Sequence, residues 1–300
     1  MEIFTELNDK HKNLSIALGF FDGVHLGHKA VIEKAVDYAL KNNLKSAVIT
    51  FSSHPAQKFN KNFEGYIIPP KKRYEYFEQF GVDYCWALDF DNIADIEAEK
   101  YIKDVLFKNF SPKAVTSGFN HHFGQHKSGN TTVLKNFSSI YNYEYFEIPP
   151  VLIDDITVSS SVIREFIRQG DIDKLNKFLG HDFEISGKVQ HGKKVGSKLG
   201  FKTANIEYPR ICVWLPYGVY GVNVTISGQT YKGIANFGVK PTFSENLSPI
   251  LEVHILDFNE DIYGKNLTVE FKKFIRSEKK FNSPEELSEQ IKADIDSFLK

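Results

Sequence analysis

Gly19-Phe-Phe-Asp-Gly-Val-His-Leu-Gly-His28 follows the apolar run 14–18 and precedes a helical pattern over about 26–42, in which Val31, Ala35, Tyr38 and Ala39 share one stripe. Two imidazoles therefore fall where a strand hands over to a helix. The first N–H groups of a helix lack intrahelical partners and carry the positive end of its dipole, so His25 and His28 would add donors to a ready anion site. Three residues apart on a helix, they share a face. The plain alternative is two surface histidines at a helix start.

Working outward, short β-rich runs alternate with helical periods through the first half. Strands are expected at 15–20, 47–51, 84–88, 114–116 and 145–148, with a helix at 96–107. This βαβ rhythm predicts a mostly parallel sheet with helices on both faces, a Rossmann-like α/β domain. Gly19, His54 and Gly118 each follow a strand, which would gather three loops at the carboxyl edge where such sheets bind ligands. Helices at 161–169 and 172–179, ended by Gly170 and Gly180, are expected to close a domain of residues 1–181. From 182 to 300 the rhythm becomes strand alternation, at 219–226, 231–236, 251–256 and 267–274, with Ser227-Gly228 as a hairpin turn. A small antiparallel β-barrel is the expectation. Ser283-Pro-Glu-Glu286 signals the start of a terminal helix whose Leu287, Ile291, Ile295 and Leu299 lie on one face.

The 300 residues suffice for two ordinary cores, and 37 basic against 38 acidic side chains give no net field to recruit nucleic acid or an anionic membrane. Phosphate binding must come from local placement, and the partners are expected to be small molecules. No apolar run approaches the ~18 residues of a membrane span, and no signal-like start is seen, so a cytoplasmic protein is the expectation, with a monomer as the default and the oligomeric state left open. Cys85 and Cys212 fit no metal-ligand spacing and read as buried hydrophobes.

Residues 19–28 resemble the nucleotidyltransferase signature of bacterial bifunctional riboflavin kinase/FAD synthetases, and Val158-Ser-Ser-Ser-Val-Ile-Arg164 resembles the S-S-x-x-I-R element of the same family. The resemblance implies that Gly19, Phe20, Asp22, His25, His28, Asn120, Ser160 and Arg164 bind ATP, with His28 and Arg164 catalytic. Gly118-Phe-Asn-His-His-Phe-Gly124 and Thr50-Phe-Ser-Ser-His-Pro55 are similar to two further segments, the second placing His54 near flavin, although Ser53 stands where the family has proline. FMN attacking the α-phosphorus of ATP brings a phosphate that is already largely dianionic, its second pKa being about 6. That step needs charge neutralisation and in-line placement rather than a base, and imidazole, guanidinium, hydroxyl and N–H groups suit it.

Gly187-Lys-Val-Gln-His-Gly192-Lys193-Lys194 nearly matches a P-loop, but Lys194 occupies the Ser/Thr position and no parallel strand-to-helix context surrounds it. The stretch 187–206 instead resembles the riboflavin kinase signature. That implies glycines Gly187, Gly192 and Gly196 folding over ATP, and Thr203 and Asn205 at Mg2+ and the phosphates. Lys202 replaces the family's proline and removes its fixed φ. A neutral alcohol nucleophile must lose a proton, so a carboxylate is wanted. Glu252, in the strand 251–256, is the catalytic base implied by the resemblance, and Arg276 and Glu278 are the implied flavin contacts; an exposed strand glutamate and a solvated charge run are the plain alternatives. The expectation is thus an enzyme using ATP and Mg2+ to make FMN from riboflavin and then FAD from FMN. Two other readings stay open, an adenylyltransferase with an impaired kinase half and a non-catalytic flavin or nucleotide sensor.

Overall fold

The computed structural model describes residues 1–7, 10–60, 63–191, 201–240 and 248–300. It divides into two compact units, Met1–Ser160 and Ser161–Lys300.

In the first unit the strands β1 (Glu2–Phe4), β2 (Leu14–Leu18), β3 (Lys45–Phe51), β4 (Tyr84–Leu88), β5 (Ala114–Gly118) and β6 (Glu144–Ile148) form one sheet. The order is β1-β4-β3-β2-β5-β6 and every pairing is parallel. The central β2 is buried along its whole length, as a parallel strand covered on both faces must be. Helix α1 (Leu26–Lys41) covers it with Val31, Ile32, Ala35, Val36 and Ala39. Tyr38, expected on that stripe, reaches out instead and donates to Glu144 at 3.0 Å. From β2 the chain runs first toward β3 and β4, then crosses back to β5 on the other side. The loops after β2 and β5 therefore meet at the topological switch point, where a doubly wound sheet opens a crevice.

Strand β2 ends at Leu18 rather than Phe20 because the next turn is contorted. Phe21 has φ 60°, Gly23 φ 83° and Val24 φ 43°. A β-branched residue in the left-handed region is costly, and such strain persists only where the surroundings impose it. Beyond β3 lie the short helix α2 (Pro55–Phe59) and α3 (Pro70–Gln79), the latter not anticipated. The expected helix at 96–107 appears as a helical stretch from Ala98 to Phe110 whose middle, Tyr101–Phe107, has π geometry. Helix α4 (Thr131–Tyr141), also unanticipated, is capped by Asn130, which accepts from the N–H of Val133 at 3.0 Å.

The second unit begins at Ser161, within α5 (Ser160–Gln169), and continues into α6 (Ile172–Leu179). These helices were expected to close the first domain, with a boundary at 181/182, yet residues 161–179 belong to the compact unit of the barrel. Asn176 shows why: its amide donates to the Phe271 carbonyl and accepts from the N–H of Phe183, both at 2.8 Å. The barrel strands are β7 (Glu184–Lys188), β8 (Thr203–Glu207), β9 (Gly218–Ile226), β10 (Gln229–Lys240), β11 (Ser248–Ile255) and β12 (Asn266–Ser277). They run in the order β7-β12-β9-β10-β11-β8, all antiparallel, and a Gln190–Asn205 bridge nearly closes the ring. Ser227 and Gly228, both with positive φ, make the expected hairpin turn. Helix α7 (Pro284–Leu299) is capped by Ser283, which accepts from the N–H of Glu286 at 3.2 Å. Its expected apolar face is only partly used. Leu299 is 49% exposed, whereas the buried residue of the helix is Asp294.

Candidate active sites

In the first unit His25 is the N-cap of α1, and its Nδ1 accepts from the N–H of His28 at 3.3 Å. The two rings stack with centroids 3.5 Å apart. Gly27 permits this fold-back, since a Cβ there would lie 3.2 Å from the His25 ring. An acceptor Nδ1 leaves the proton of neutral His25 on Nε2. Burial, then the neighbouring His25, then Arg73 hold the pKa of His28 well below the usual histidine value. His28 is thus neutral near pH 7, and its buried Nδ1 has no hydrogen-bond partner. A helix start with stacked imidazoles and an unsatisfied ring nitrogen suits a polyphosphate.

Asp22 sits inside the loop. Its buried carboxylate accepts from the N–H of Ile67 at 3.0 and 3.2 Å and faces Nε2 of His54 at 3.9 Å. Ser160 donates to the Asp22 carbonyl at 3.2 Å, tying the S-S-x-x-I-R segment to the 19–28 loop. His54 caps α2, its Nδ1 accepting from the N–H of Ala56 at 3.0 Å, so its remaining proton points from Nε2 toward Asp22. Phe20, Phe63 and Tyr66 surround the ring, an apolar setting fit for a flat heterocycle. Gly19 continues the β2 edge by donating to Ile49 O at 3.3 Å. The Phe20 carbonyl accepts from Thr50 Oγ1 at 3.0 Å and from Arg73, whose guanidinium lies 4.1 Å over the Phe20 ring. Asn120 is exposed in the loop after β5. The structure therefore gathers Gly19, Phe20, Asp22, His25, His28, His54 and Ser160 in one unit. Arg164 stands one turn beyond Ser160 on α5, in the second unit.

On the barrel, register aligns a polar row: Asn205 on β8 faces Glu252 on β11, which faces Asn236 on β10. Thr203, His254 and Ile234 form the next row. Two clefts flank these strands and share Thr203. One, of about 390 Å³, is bounded by Thr203 and Asn205 with apolar walls from Val189, Ile255, Ile262 and Tyr263. The other, of about 570 Å³, holds Glu252, Asn236, Arg276 and Glu278 against Leu287 and Ile291. Asn205 is 3% exposed and its Oδ1 has no partner. A neutral carbonyl oxygen left unsatisfied beside the Thr203 hydroxyl fits a hard cation such as Mg2+, which takes few protein oxygens and shares the rest with phosphates. Among the described residues no group of three His, Cys, Asp or Glu side chains could enclose a metal.

Lys202 is clamped at the rim. His254 Nδ1 donates to its carbonyl at 2.8 Å, and its Nζ donates to Asn259 Oδ1 at 2.6 Å. These two bonds hold the Lys202 carbonyl and ammonium, whereas a proline would fix φ. Gly187 lies on β7 against Ile206, where a Cβ would approach to 3.3 Å. Gly192 and Gly196 lie outside the described residues. Arg276 lines the larger cleft but is committed: Nε and Nη2 donate to buried Asp294 at 2.8–3.1 Å, and Nη1 to Ser277 O at 3.1 Å. Sequence reasoning missed Asp294, Asn236 and Arg73. Strand alternation offered a signal for Asn236, since it shares a face parity with the polar side of β10. Arg73 sits in a Lys-Lys-Arg run that reads as a solvated face.

The FAD synthetase family model matches residues 7–162, and the riboflavin kinase family model matches residues 179–300. A bifunctional riboflavin kinase/FMN adenylyltransferase of Buchnera aphidicola subsp. Schizaphis graminum is 34% identical over 295 residues, covering 97% of this chain and 94% of that one. Its namesake in Bacillus subtilis is 34% identical over 284 residues, covering 93% and 89%. A solved Streptococcus pneumoniae structure, named a macrolide-efflux protein, superposes with a TM-score of 0.89 at 30% identity over 100% of this chain and 99% of its own.

Proposed function

The chain belongs to the family of bifunctional riboflavin kinase/FMN adenylyltransferases, and from that premise we propose which residues carry each of its two reactions. It phosphorylates riboflavin with ATP to give FMN, then adenylates FMN with a second ATP to give FAD and pyrophosphate. The efflux name of its structural neighbour is not carried over, since no helix among the described residues is long and apolar enough to cross a membrane.

Riboflavin phosphorylation belongs to the barrel. Glu252 takes the proton from the ribityl hydroxyl as that oxygen attacks the γ-phosphorus of ATP in the adjoining cleft. Asn205 and Asn236 flank Glu252 across the strands, and the apolar walls of the smaller cleft receive the purine. Thr203 and Asn205 are the proposed holders of Mg2+, which supplies neutralisation of charge on the bridging phosphate oxygens. Arg276 and Glu278 border the flavin, Arg276 doing so from its fixed pairing with Asp294. The observation that carries this assignment is the strand register that sets Asn205 and Asn236 on either side of Glu252, with Glu252 and Asn236 lining the larger cleft and Asn205 the smaller.

Adenylyl transfer belongs to the α/β unit. The FMN phosphate is its own nucleophile, so the protein's task is to hold the triphosphate in line and spread its charge. His25 Nε2–H, the ring N–H of neutral His28, the free N–H groups of α1, Ser160 and Arg164 serve that end, with Asn120 near the α-phosphate. Gly19 and Phe20 shape the loop, Asp22 orients His54, and His54 with its aromatic neighbours borders the flavin. Both reactions use small substrates, and the buried Cys85 and Cys212, neither in a disulfide, accord with a reducing, cytoplasmic setting. A monomer is the proposed working unit, since each site as assigned draws on a single chain.

Incubation with riboflavin and Mg-ATP, followed by chromatography of products, tests the assignment. His28→Ala should reduce FAD formation by ~10²–10³ and let FMN accumulate, the loss expected for one strong transition-state donor. Glu252→Gln should abolish FMN formation while added FMN still becomes FAD. A folded variant that loses both steps together would overturn the division.

A further inference from the structure

We propose that Arg73 is a positioning residue of the adenylyl-transfer site, a fixed buried cation whose countercharge is the polyphosphate of ATP. The proposal rests on the reading that His25 and His28 face those phosphates.

Arg73 lies in the first turn of α3 and is 0% exposed. Its guanidinium donates from Nη1 to the Phe20 carbonyl and to Thr50 Oγ1 at 3.3 Å, and from Nη2 to the Phe51 carbonyl at 3.0 Å. Phe20 follows β2 and Phe51 ends β3, so one fork spans the carboxyl ends of two adjacent parallel strands. Phe20 also stacks on its face. The remaining donor, Nε, is buried without a partner. Among the described residues no carboxylate lies within ion-pair distance: Asp22, the nearest in effect, is engaged with the N–H of Ile67 and faces His54.

An unpaired buried charge is among the most costly features a core can hold, and an apolar residue of similar volume would ordinarily be more stable there. Carbonyl dipoles offset part of that cost. The rest is compensated when an anion settles at the strand ends, where the low-dielectric surroundings leave the field of the guanidinium little screened. Arg73 is too deep to touch substrate. It acts through its charge, and the carbonyls it grips, at the ends of the loops that carry Phe20 to His28 on one side and His54 on the other, hold that charge beside the strand ends. The same charge helps keep His28 neutral, after burial and His25 have done more. His28 then supplies a directed N–H while Arg73 supplies permanent positive charge.

Charge and grip separate in two substitutions. Arg73→Lys keeps the cation and loses the fork, whereas Arg73→Gln keeps an N–H donor for one carbonyl and loses the cation; Arg73→Met is a second neutral variant should the glutamine fold poorly. FMN formation by the barrel is measured on the same preparations as a control of integrity. Kinetics of FAD formation and the titration of His28, followed by NMR of ring-labelled histidine, are the readouts. The neutral variants should lose on the order of tenfold or more in kcat/KM for FAD formation, mostly through KM for ATP, as befits a charge acting across several ångströms. Their His28 titration should move upward. Arg73→Lys should stay within about threefold with an unmoved titration. Retained FAD formation in the neutral variants, an equal loss in Arg73→Lys, or a stationary His28 would each overturn the proposal. If His28→Ala keeps full FAD formation, the underlying site reading fails instead, whatever Arg73 does.

Discussion

His121 illustrates how a single buried ring couples to pH. Burial and the adjacent His122 push its pKa down to about 4, and its Nε2 has no partner. Unfolded, the same ring titrates near 6.5, so between these values the unfolded chain binds the proton and the folded one does not. Stability is therefore complete above pH 6.5 and declines as pH falls toward 4. His28, lowered in the same direction, adds to the decline. Replacing His121 with Phe keeps the stack on Phe123 and removes both the titration and the orphaned nitrogen. Denaturant midpoints at pH 7 and pH 5 should show wild type losing more than His121→Phe; equal losses would assign the acid sensitivity elsewhere. At this scale the sequence was uneven in what it disclosed. His25, His28, Ser160 and Glu252 stood out because residue type, spacing and neighbouring elements agreed. Arg73, Asp294 and Asn236 did not, because nothing in a local window tells a buried arginine or aspartate from an exposed one.

Among the elements, α7 is held to the barrel by contacts that amphipathic reading underrates. Its buried Asp294 receives Arg276 from β12 and Gln290 from its own previous turn. Asp294→Ala would leave a largely buried guanidinium unpaired, and a loss of about 3 kcal/mol is expected in equilibrium unfolding, with a raised KM for riboflavin as Arg276 reorients. Phe298, near the end of α7, rests on Gly221 of β9, where a Cβ would come within 2.2 Å of the ring. Gly221→Ala should cost about 1–3 kcal/mol by displacing that ring, and Gly221→Ala paired with Phe298→Leu should recover part of it. The helix itself was legible from its Ser-Pro-Glu-Glu start. Its docking was not, since the pairing partners lie on strands brought alongside only by the barrel's closure. Helices α3 and α4 were missed for another reason: Pro-Pro and Thr-Thr starts resemble loops, and their apolar stripes are short.

For the whole molecule, the consequential feature is that the residues proposed for adenylyl transfer, Arg164 apart, lie in one compact unit and those proposed for riboflavin phosphorylation in the other. Mixing His28→Ala with Glu252→Gln should restore conversion of riboflavin to FAD, since each variant keeps one intact site and FMN can pass through solution. No restoration, with both variants folded and each active in its own step, would mean that FMN does not exchange between chains. Chelation of Mg2+ should halt both steps, because both develop charge on phosphate oxygens that the assigned side chains neutralise only in part.

The sequence by itself determined the two fold classes, the parallel rhythm followed by alternation, and the two chemistries, because strand and helix periods and compact motifs are written locally. The tertiary structure alone decided which residues share a site and which unit owns the helices at 161–179. It aligned Asn205, Glu252 and Asn236 by strand register, brought His254 and Asn259 against Lys202, and buried Arg73 beneath the strand ends. Register, burial and pairing are relations between distant segments, and their free energies exist only once the chain has brought those segments together.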